Sequence, residues 1–165
     1  MIKTAGQVSI QHLRGVDIFA GLYDDDLARI GQFCSERTYE AGEYCATQGE
    51  TTDELHIINA GKVIIEKRLE VTPLNQRVNI TTLSQGKVCA WSAVVEPHIL
   101  TASIRCLDRT QMISIKASTL QRIFRERPMV GYVVMKNLAG VISTRLRDSH
   151  IQLVSLIAEI IKQAS

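Results

Sequence analysis

Glycine divides the middle of this 165-residue chain into short runs that are rich in β-branched and aromatic residues. Four glycines stand where one run stops and the next begins: Gly42, Gly49, Gly61 and Gly86. Glycine adopts positive φ without strain, so each of these positions predicts a tight turn. Many short strands at this spacing indicate an antiparallel sandwich or roll, and we therefore expect a mainly β architecture from Ser35 onward.

Individual strands follow from the same pattern. In HIINAGKVIIEK, at 56–67, two β-rich runs flank Ala60 and Gly61, which predicts a hairpin turning there. Further strands fit ILTASIRCL at 99–107 and TQMISIKA at 110–117.

Helical segments flank the β region on both sides. Before it, apolar residues at helical spacing predict a short helical pair around a turn at Gly21, and Asp24 or Asp25 is expected to cap the second helix. These apolar residues are Ile18, Phe19, Leu22, Leu27, Ile30 and Phe33. After the β region, Ser118 and Gln121 resemble a capping box, which predicts the start of another short helix.

A long helix is predicted for the C-terminal part of the chain, with Pro128 in its first turn. A helix of roughly 35 residues spans about 50 Å, more than a compact domain of this size needs. It contains a series of residues spaced alternately by three and four, four of them apolar, which is typical of a coiled-coil seam: Leu146, Ser149, Leu153, Leu156 and Ile160. Val154, Ile157 and Ile161 form a second strip. We therefore expect a sensor domain at 1–127 and a dimerisation helix at 128–165, which makes a homodimer.

The charge balance argues against two classes of partner. The chain carries 19 Lys and Arg against 17 Asp and Glu, a formal net charge of +2, which is too small to concentrate nucleic acid or an anionic membrane. No apolar run approaches the roughly 18 residues of a membrane span, and the N-terminal stretch lacks the apolar core of a signal peptide. We expect a cytoplasmic protein with neither nucleic acid nor membrane as partner.

The residues offer no candidate for catalysis or for a metal site. There is neither a glycine-rich phosphate loop nor a nucleophile elbow. The four cysteines are widely spaced and are interpreted as reduced, buried thiols: Cys34, Cys45, Cys89 and Cys106. The four histidines are isolated and are interpreted as surface or packing residues: His12, His56, His98 and His150. We therefore expect a protein that is not an enzyme.

The order and spacing of these segments resemble the cyclic nucleotide-binding domain of the cyclic-AMP receptor and FNR-type regulators. The likeness is carried by LRGVDIFAGLYDDDLARI at 13–30, EAGE at 40–43, QGETTDELHIINAGKVII at 48–65 and GKVCAWSAVVEPHILTASIRC at 86–106. The resemblance implies a double-stranded β-helix of jelly-roll type, an eight-stranded β-roll. It also implies a short helix that cradles phosphate and a long C-terminal helix that commonly makes the dimer.

The ligand-binding stretch departs from the family pattern, which is close to GxxFGExALL followed by RxAxV. In that pattern the Glu holds the ribose hydroxyl and the Arg neutralises the cyclic phosphate. Here Trp91 stands for the Glu, Leu100 stands for the Arg, and Ala90 replaces the glycine that lets the backbone approach the ligand. The predicted ligand pocket consists of Ala90, Trp91, Ser92, Ala93, Val94, Leu100, Thr101 and Ala102.

We expect these replacements to lower the affinity for cyclic nucleotide while leaving the fold unchanged. A hydrogen bond to a charged group contributes about 1.5 to 3 kcal/mol, and a buried phosphate left unpaired costs more. Cyclic nucleotide is the ligand that the family implies, and Trp91 and Leu100 argue against it, so the ligand is unknown. Trp91 either fills the vacated space or stacks on a flat ligand.

The resemblance also leaves two cofactors to consider. Related redox regulators hold an iron–sulfur cluster with dispersed cysteines, and haem-binding relatives use a pocket histidine, which singles out His98. Nothing else in the chain supports haem, and the cysteines are interpreted as small buried residues rather than as cluster ligands.

The sequence therefore predicts a regulatory, ligand-sensing module that acts by changing the pose of its C-terminal helix. One alternative is a structural dimerisation adaptor with a degenerate pocket. Another is the sensor half of a Crp/FNR-type transcription regulator, whose helix-turn-helix domain would follow the long helix. The sequence ends at Ser165, before such a domain.

Overall fold

The computed structural model describes residues 2–4, 8–71 and 74–163. Within them, nine strands form two antiparallel sheets: β1 (Ile2–Thr4), β2 (Ser35–Tyr39), β3 (Tyr44–Ala46), β4 (Glu54–Ala60), β5 (Lys62–Val71), β6 (Leu74–Ser84), β7 (Val88–Cys89), β8 (Ser103–Cys106) and β9 (Thr110–Lys116). The first sheet has the order β1-β2-β9-β4-β7 and the second β3-β8-β5-β6. Strands β2 to β9 form the predicted β-roll, which confirms the fold class.

Helices lie before, within and after the roll. The described helical elements are α1 (Ile10–Arg14), a 3-10 helix at Asp17–Phe19, α2 (Asp24–Gly31), a 3-10 turn at Trp91–Val94, α3 (Ala117–Glu126) and α4 (Pro128–Gln163). The long helix begins at Pro128, as predicted. The division of the chain into a sensor domain and a dimerisation helix stays a prediction.

The strands β4 and β9 are buried on both faces. Ile57 and Ile113 contribute to a core shared with the helices, whereas Ile58 and Met112 contribute to a second core between the two sheets. This double burial explains why the sequence around them is almost continuously apolar rather than alternating.

The predicted hairpin at Ala60 and Gly61 is wrong. Gly61 does turn the chain, with φ of +90°, but β4 pairs with β7 and β9 while β5 pairs with β6 and β8 in the other sheet. A Cβ at Gly61 would lie 2.8 Å from the carbonyl oxygen of Arg109, so only glycine fits this crossing between sheets. The hairpin in this region joins β5 to β6 instead.

Two predicted helix caps are also wrong. Tyr23 is the N-cap of α2 and makes no side-chain capping bond, so Asp24 and Asp25 lie in the first turn of the helix. They still face its positive end. The N-cap of α3 is Lys116, which puts Ser118 inside the helix. The Ala117 N–H donates to the carbonyl oxygen of Asp53 at 2.8 Å, and this tertiary hydrogen bond sets the start of α3.

The first half of α4 is fixed to the N-terminal helices. Val130, Val134 and Leu138 are buried against them. Asn137 Nδ2 donates to the carbonyl oxygens of Ile18, at 3.2 Å, and Ala20, at 2.8 Å. Just before α4, Arg127 forms an ion pair with Asp26, and Glu126, the last residue of α3, forms one with Arg29.

The second half of α4 leaves a row of large apolar side chains exposed: Leu146, Ile151, Leu153, Val154, Ile157 and Ile161. The side chains of Leu156 and Ile160, both in the predicted seam, lie outside the described residues. Across the part of the chain that the structure describes, none of the helices combines the length and hydrophobicity that a membrane span requires.

His56 is a buried packing residue. Its Nδ1 lies 2.8 Å from the hydroxyl oxygen of Ser114, on the neighbouring strand. Burial lowers the pKa of His56 to about 4, and the positive charge of Arg37 acts in the same direction. The folded protein therefore holds this imidazole neutral over a pH range in which the unfolded chain protonates it.

This shift predicts acid sensitivity. Because the folded pKa is depressed, stability is complete above about pH 6.5, the unfolded value, and falls as the pH drops towards about 4. The loss attributable to His56 should reach about 3 kcal/mol at the lower end. Denaturant unfolding at several pH values measures it, with His56→Gln as the control. An equal slope between pH 6.5 and 4 in the variant would contradict this assignment.

Candidate functional site

The predicted pocket residues gather at one end of the β-roll. Six of the eight line a small cavity of about 50 Å³: Ala90, Trp91, Ser92, Leu100, Thr101 and Ala102. Ala93 is buried outside this cavity, and Val94 packs against the core beneath the helices. The role of these residues in binding a ligand stays a prediction.

The backbone here retains a geometry that favours glycine. Ala90 has φ of 55° and ψ of 33°, in the left-handed region, immediately before the 3-10 turn. A residue with a Cβ is strained there, which fits the glycine of the family pattern. The chain therefore has an alanine in a backbone conformation that suits glycine better.

Leu100 fills the position of the family's arginine with apolar bulk. It is 5% exposed and belongs to the core between the sheets, in the same cluster as Cys89 and Ile104. The remaining cavity of about 50 Å³ is far below the roughly 300 Å³ at which small-molecule pockets begin.

Arg145, from the long helix, covers the site. Its guanidinium carbon lies 4.3 Å from the centre of the Trp91 ring, a cation–π contact, and its Nη2 donates to the carbonyl oxygen of Val88. Burial lowers the pKa of Arg145, while the negative charge of Asp17 acts in the opposite direction. Helix α4 is therefore in direct contact with the turn that, in the family, faces the ligand.

Arg145 was not predicted from the sequence. It continues the stripe of Val134, Leu138 and Val141, at spacings of three and four, that faces the body of the protein. The sequence signal for Arg145 is a charged residue at a helix position where the spacing of the buried residues predicts an apolar one. Apolar residues on other faces of α4 hide that stripe in the sequence.

A second, larger cavity of about 500 Å³ adjoins the first, between the β5–β6 hairpin and α4. Trp91, Thr101 and Ala102 line both cavities, so the two share a wall. The larger one was also not predicted, since its walls come from segments far apart in sequence.

The cofactor alternatives receive no support from the geometry. Cys34 belongs to the core beneath the helices, whereas Cys45, Cys89 and Cys106 lie between the sheets, so the four do not converge. Burial raises the pKa of Cys34 and of Cys89 to about 12, which makes these thiols poor nucleophiles at neutral pH. His98 Nδ1 donates to the carbonyl oxygen of Ser92 at 3.1 Å and lines neither cavity.

The β-roll and the turn at Ala90 lie within the part of the chain that matches one family. The model described as the cyclic nucleotide-binding domain matches residues 36–127, more than half of the chain. The chain belongs to the cyclic nucleotide-binding domain family. Among curated relatives, this domain is 23% identical over 142 residues to the cyclic AMP receptor protein of Thermus thermophilus, which covers 86% of the chain and 62% of the relative.

Two solved structures resemble this cyclic nucleotide-binding domain in fold. A cyclic nucleotide-binding domain from Methylobacillus flagellatus has a TM-score of 0.76 and 16% identity, over 88% of this chain and 80% of that one. A regulatory subunit of a cAMP-independent protein kinase A from Trypanosoma brucei has a TM-score of 0.70 and 18% identity, over 89% of this chain and 50% of that one. It was solved as a triple mutant bound to cAMP. The chain spans between 12% and 62% of the lengths of the first curated relatives it matches.

Proposed function

We propose that this domain is a non-catalytic sensor that does not bind cyclic nucleotide through the family's charged pair and that signals through the pose of α4. The observation that carries the proposal is the stacking of Arg145 on Trp91. Together with the hydrogen bond to the carbonyl oxygen of Val88, it connects the helix to the binding segment through one arginine, whose contacts a ligand arriving beside Trp91 would disturb.

The argument against ordinary cyclic nucleotide binding rests on charge and space. Leu100 offers no cation to a cyclic phosphate, and Trp91 offers no carboxylate to a ribose. The trypanosomal relative supports this view. It is described as cAMP-independent, and the mutant bound to cAMP has a threonine replaced by arginine, a glutamate by alanine and a valine by alanine.

The argument for signalling rests on how α4 is held. Its first half is fixed by Asn137 and by buried apolar residues, and its middle is held by Arg145. Loss of the Arg145 contacts, together with loss of the hydrogen bond from Gln152 Nε2 to the carbonyl oxygen of Ile80, would release the second half while the first half stays in place. The bistable part of the domain is therefore the stretch that follows Arg145.

Dimerisation through α4 is part of the proposal, with a second copy of the chain as the partner. Residues seven apart share one exposed face along the helix: Tyr132, Ala139, Leu146 and Leu153. Tyr132 is 61% exposed and Leu153 is 56% exposed. A seven-residue repeat of this length is the pattern of a two-stranded coiled coil, in which the same face of each helix covers the other.

The runner-up is a dimerisation adaptor whose pocket is closed by Trp91, which the small size of the inner cavity favours. A sensor half of a transcription regulator is a third candidate, because the Thermus relative is a cyclic AMP receptor protein. In all three proposals the domain is cytoplasmic and contacts neither nucleic acid nor membrane by itself.

Isothermal titration calorimetry tests the main proposal. Neither cyclic AMP nor cyclic GMP should produce binding heat with the unmodified protein at concentrations up to about 50 μM, because both charged partners are absent. Binding with a dissociation constant of about 1 μM or less would overturn the proposal.

A further inference from the structure

The cavity of about 500 Å³ between the hairpin and α4 has the size and lining of a ligand site. Ile65 and Ile80 supply apolar surface from β5 and β6, and Ile142 and Leu146 supply it from α4. Ala102 and the Trp91 ring close the inner end. Such a lining favours a molecule with an apolar body. The volume of the cavity falls in the range of pockets that enclose one small ligand.

Positively charged residues outnumber negatively charged ones in the described lining of this cavity. Lys67 and Arg145 are its cations, and neither takes part in an ion pair among the described residues. Asp148 is the one acidic residue in the lining that the structure describes, and it too forms no ion pair within 4.0 Å. The half-buried guanidinium of Arg145 contacts the Trp91 ring and the carbonyl oxygen of Val88 but forms no ion pair within 4.0 Å among the described residues, so a ligand carboxylate can still pair with it.

We propose that this cavity binds a small apolar monocarboxylate, with its carboxylate on Arg145 and its body between Ile65, Ile80 and Ile142. The planar guanidinium can donate two parallel hydrogen bonds to a carboxylate, and Lys67 adds a second positive charge. Asp148 disfavours ligands that carry a second negative charge, so a monoanion fits better than a phosphate dianion.

The site would connect ligand binding to the helix. Arg145 would exchange its contact with Trp91 for the carboxylate, and Leu146 lines the cavity while also belonging to the exposed seven-residue repeat. This inference rests on the proposed function, because it names the ligand class of the same sensor and a second anchor point beside the binding segment.

Titration with 4-phenylbutyrate and 1-naphthoate tests the site, with the uncharged amides of the same two acids as matched ligands. We expect dissociation constants of about 10 to 100 μM for the acids and at least tenfold weaker binding for the amides. Trp91 is the one tryptophan of the chain, so its fluorescence should change on adding 4-phenylbutyrate. Calorimetry on the full chain gives the affinities.

Three variants separate the ligand site from general effects on folding. Arg145→Gln should weaken binding of the acids by about 10- to 100-fold and leave the amides unchanged. Lys67→Gln, at an exposed position, should weaken binding of the acids by about threefold to tenfold. Arg147→Gln removes an exposed cation of the same helix that does not line the cavity, and should have no effect.

Two outcomes would overturn the inference: absence of binding by both acids up to about 1 mM, or equal affinity for acids and amides. Failure of the inference leaves the calorimetry with cyclic nucleotides unaffected. Tight binding of cyclic AMP would instead contradict the proposed function, whatever the acids do.

Discussion

A chain that carries Trp91→Glu and Leu100→Arg should bind cyclic AMP, whereas we expect no binding by the unmodified chain at about 50 μM. Both side chains line the inner cavity, so the variant places a carboxylate and a guanidinium at the two positions that the family pattern assigns to ribose and phosphate. Each charge-assisted contact returns about 1.5 to 3 kcal/mol, and together they should raise the affinity by about two to four decades.

The inner cavity must widen before the variant can bind cyclic AMP. The Trp91→Glu change contributes space, but it also removes the ring on which Arg145 stacks. Ala90 occupies a left-handed conformation, so Ala90→Gly relieves strain and removes a methyl group at the point of closest approach. We expect the triple variant to bind at least as tightly as the double variant.

A control variant with two uncharged substitutions distinguishes the effect of the new charges from the effect of the added space. Trp91→Gln with Leu100→Met opens similar room without either charge and should not bind cyclic AMP. The charged double variant should be less stable than the unmodified chain in the absence of ligand, because an arginine then lies in an apolar core. Cyclic AMP should raise its melting temperature. A folded charged variant that shows no binding heat would contradict the assignment of these two positions.

Leu153→Lys should convert the proposed α4 dimer into a monomer. Each helix would lose the burial of one leucine, worth about 1.5 to 3 kcal/mol, and the two lysines would face each other across a parallel seam. The dissociation constant of the dimer should rise by at least about two to four decades. Light scattering and sedimentation equilibrium over a range of protein concentrations measure it.

Ile151→Lys is the matched control on the same helix. Ile151 is 59% exposed and Leu153 is 56% exposed, but Ile151 lies on the face opposite to the seven-residue repeat. The control should remain a dimer. Dissociation by both substitutions, or by Ile151→Lys alone, would mean that a different face of α4 forms the interface, and two unchanged dimers would place the interface elsewhere.

Features that depend on local backbone and residue identity were determined by the sequence alone. Gly42, Gly49, Gly61 and Gly86 all have φ between +81° and +90°, as their positions between β-rich runs predict. Pro128 begins the long helix because its fixed φ and missing N–H suit a first turn. The mismatch of Trp91 and Leu100 with the family pattern is likewise a property of the residues themselves.

The tertiary structure decided which segments are partners. The turn at Gly61 looks like a hairpin in the sequence, but hydrogen bonding to β9 and β8 assigns its two strands to different sheets. The start of α3 depends on a main-chain bond to Asp53, and the contact between Arg145 and Trp91 joins a helix to a turn far away in the chain. Local preferences contribute about 1 kcal/mol or less per residue, and long-range pairing and burial outweigh them. The site of this domain is therefore composed of a binding segment that the sequence identifies and a covering arginine that only the packing of α4 on the β-roll brings to it.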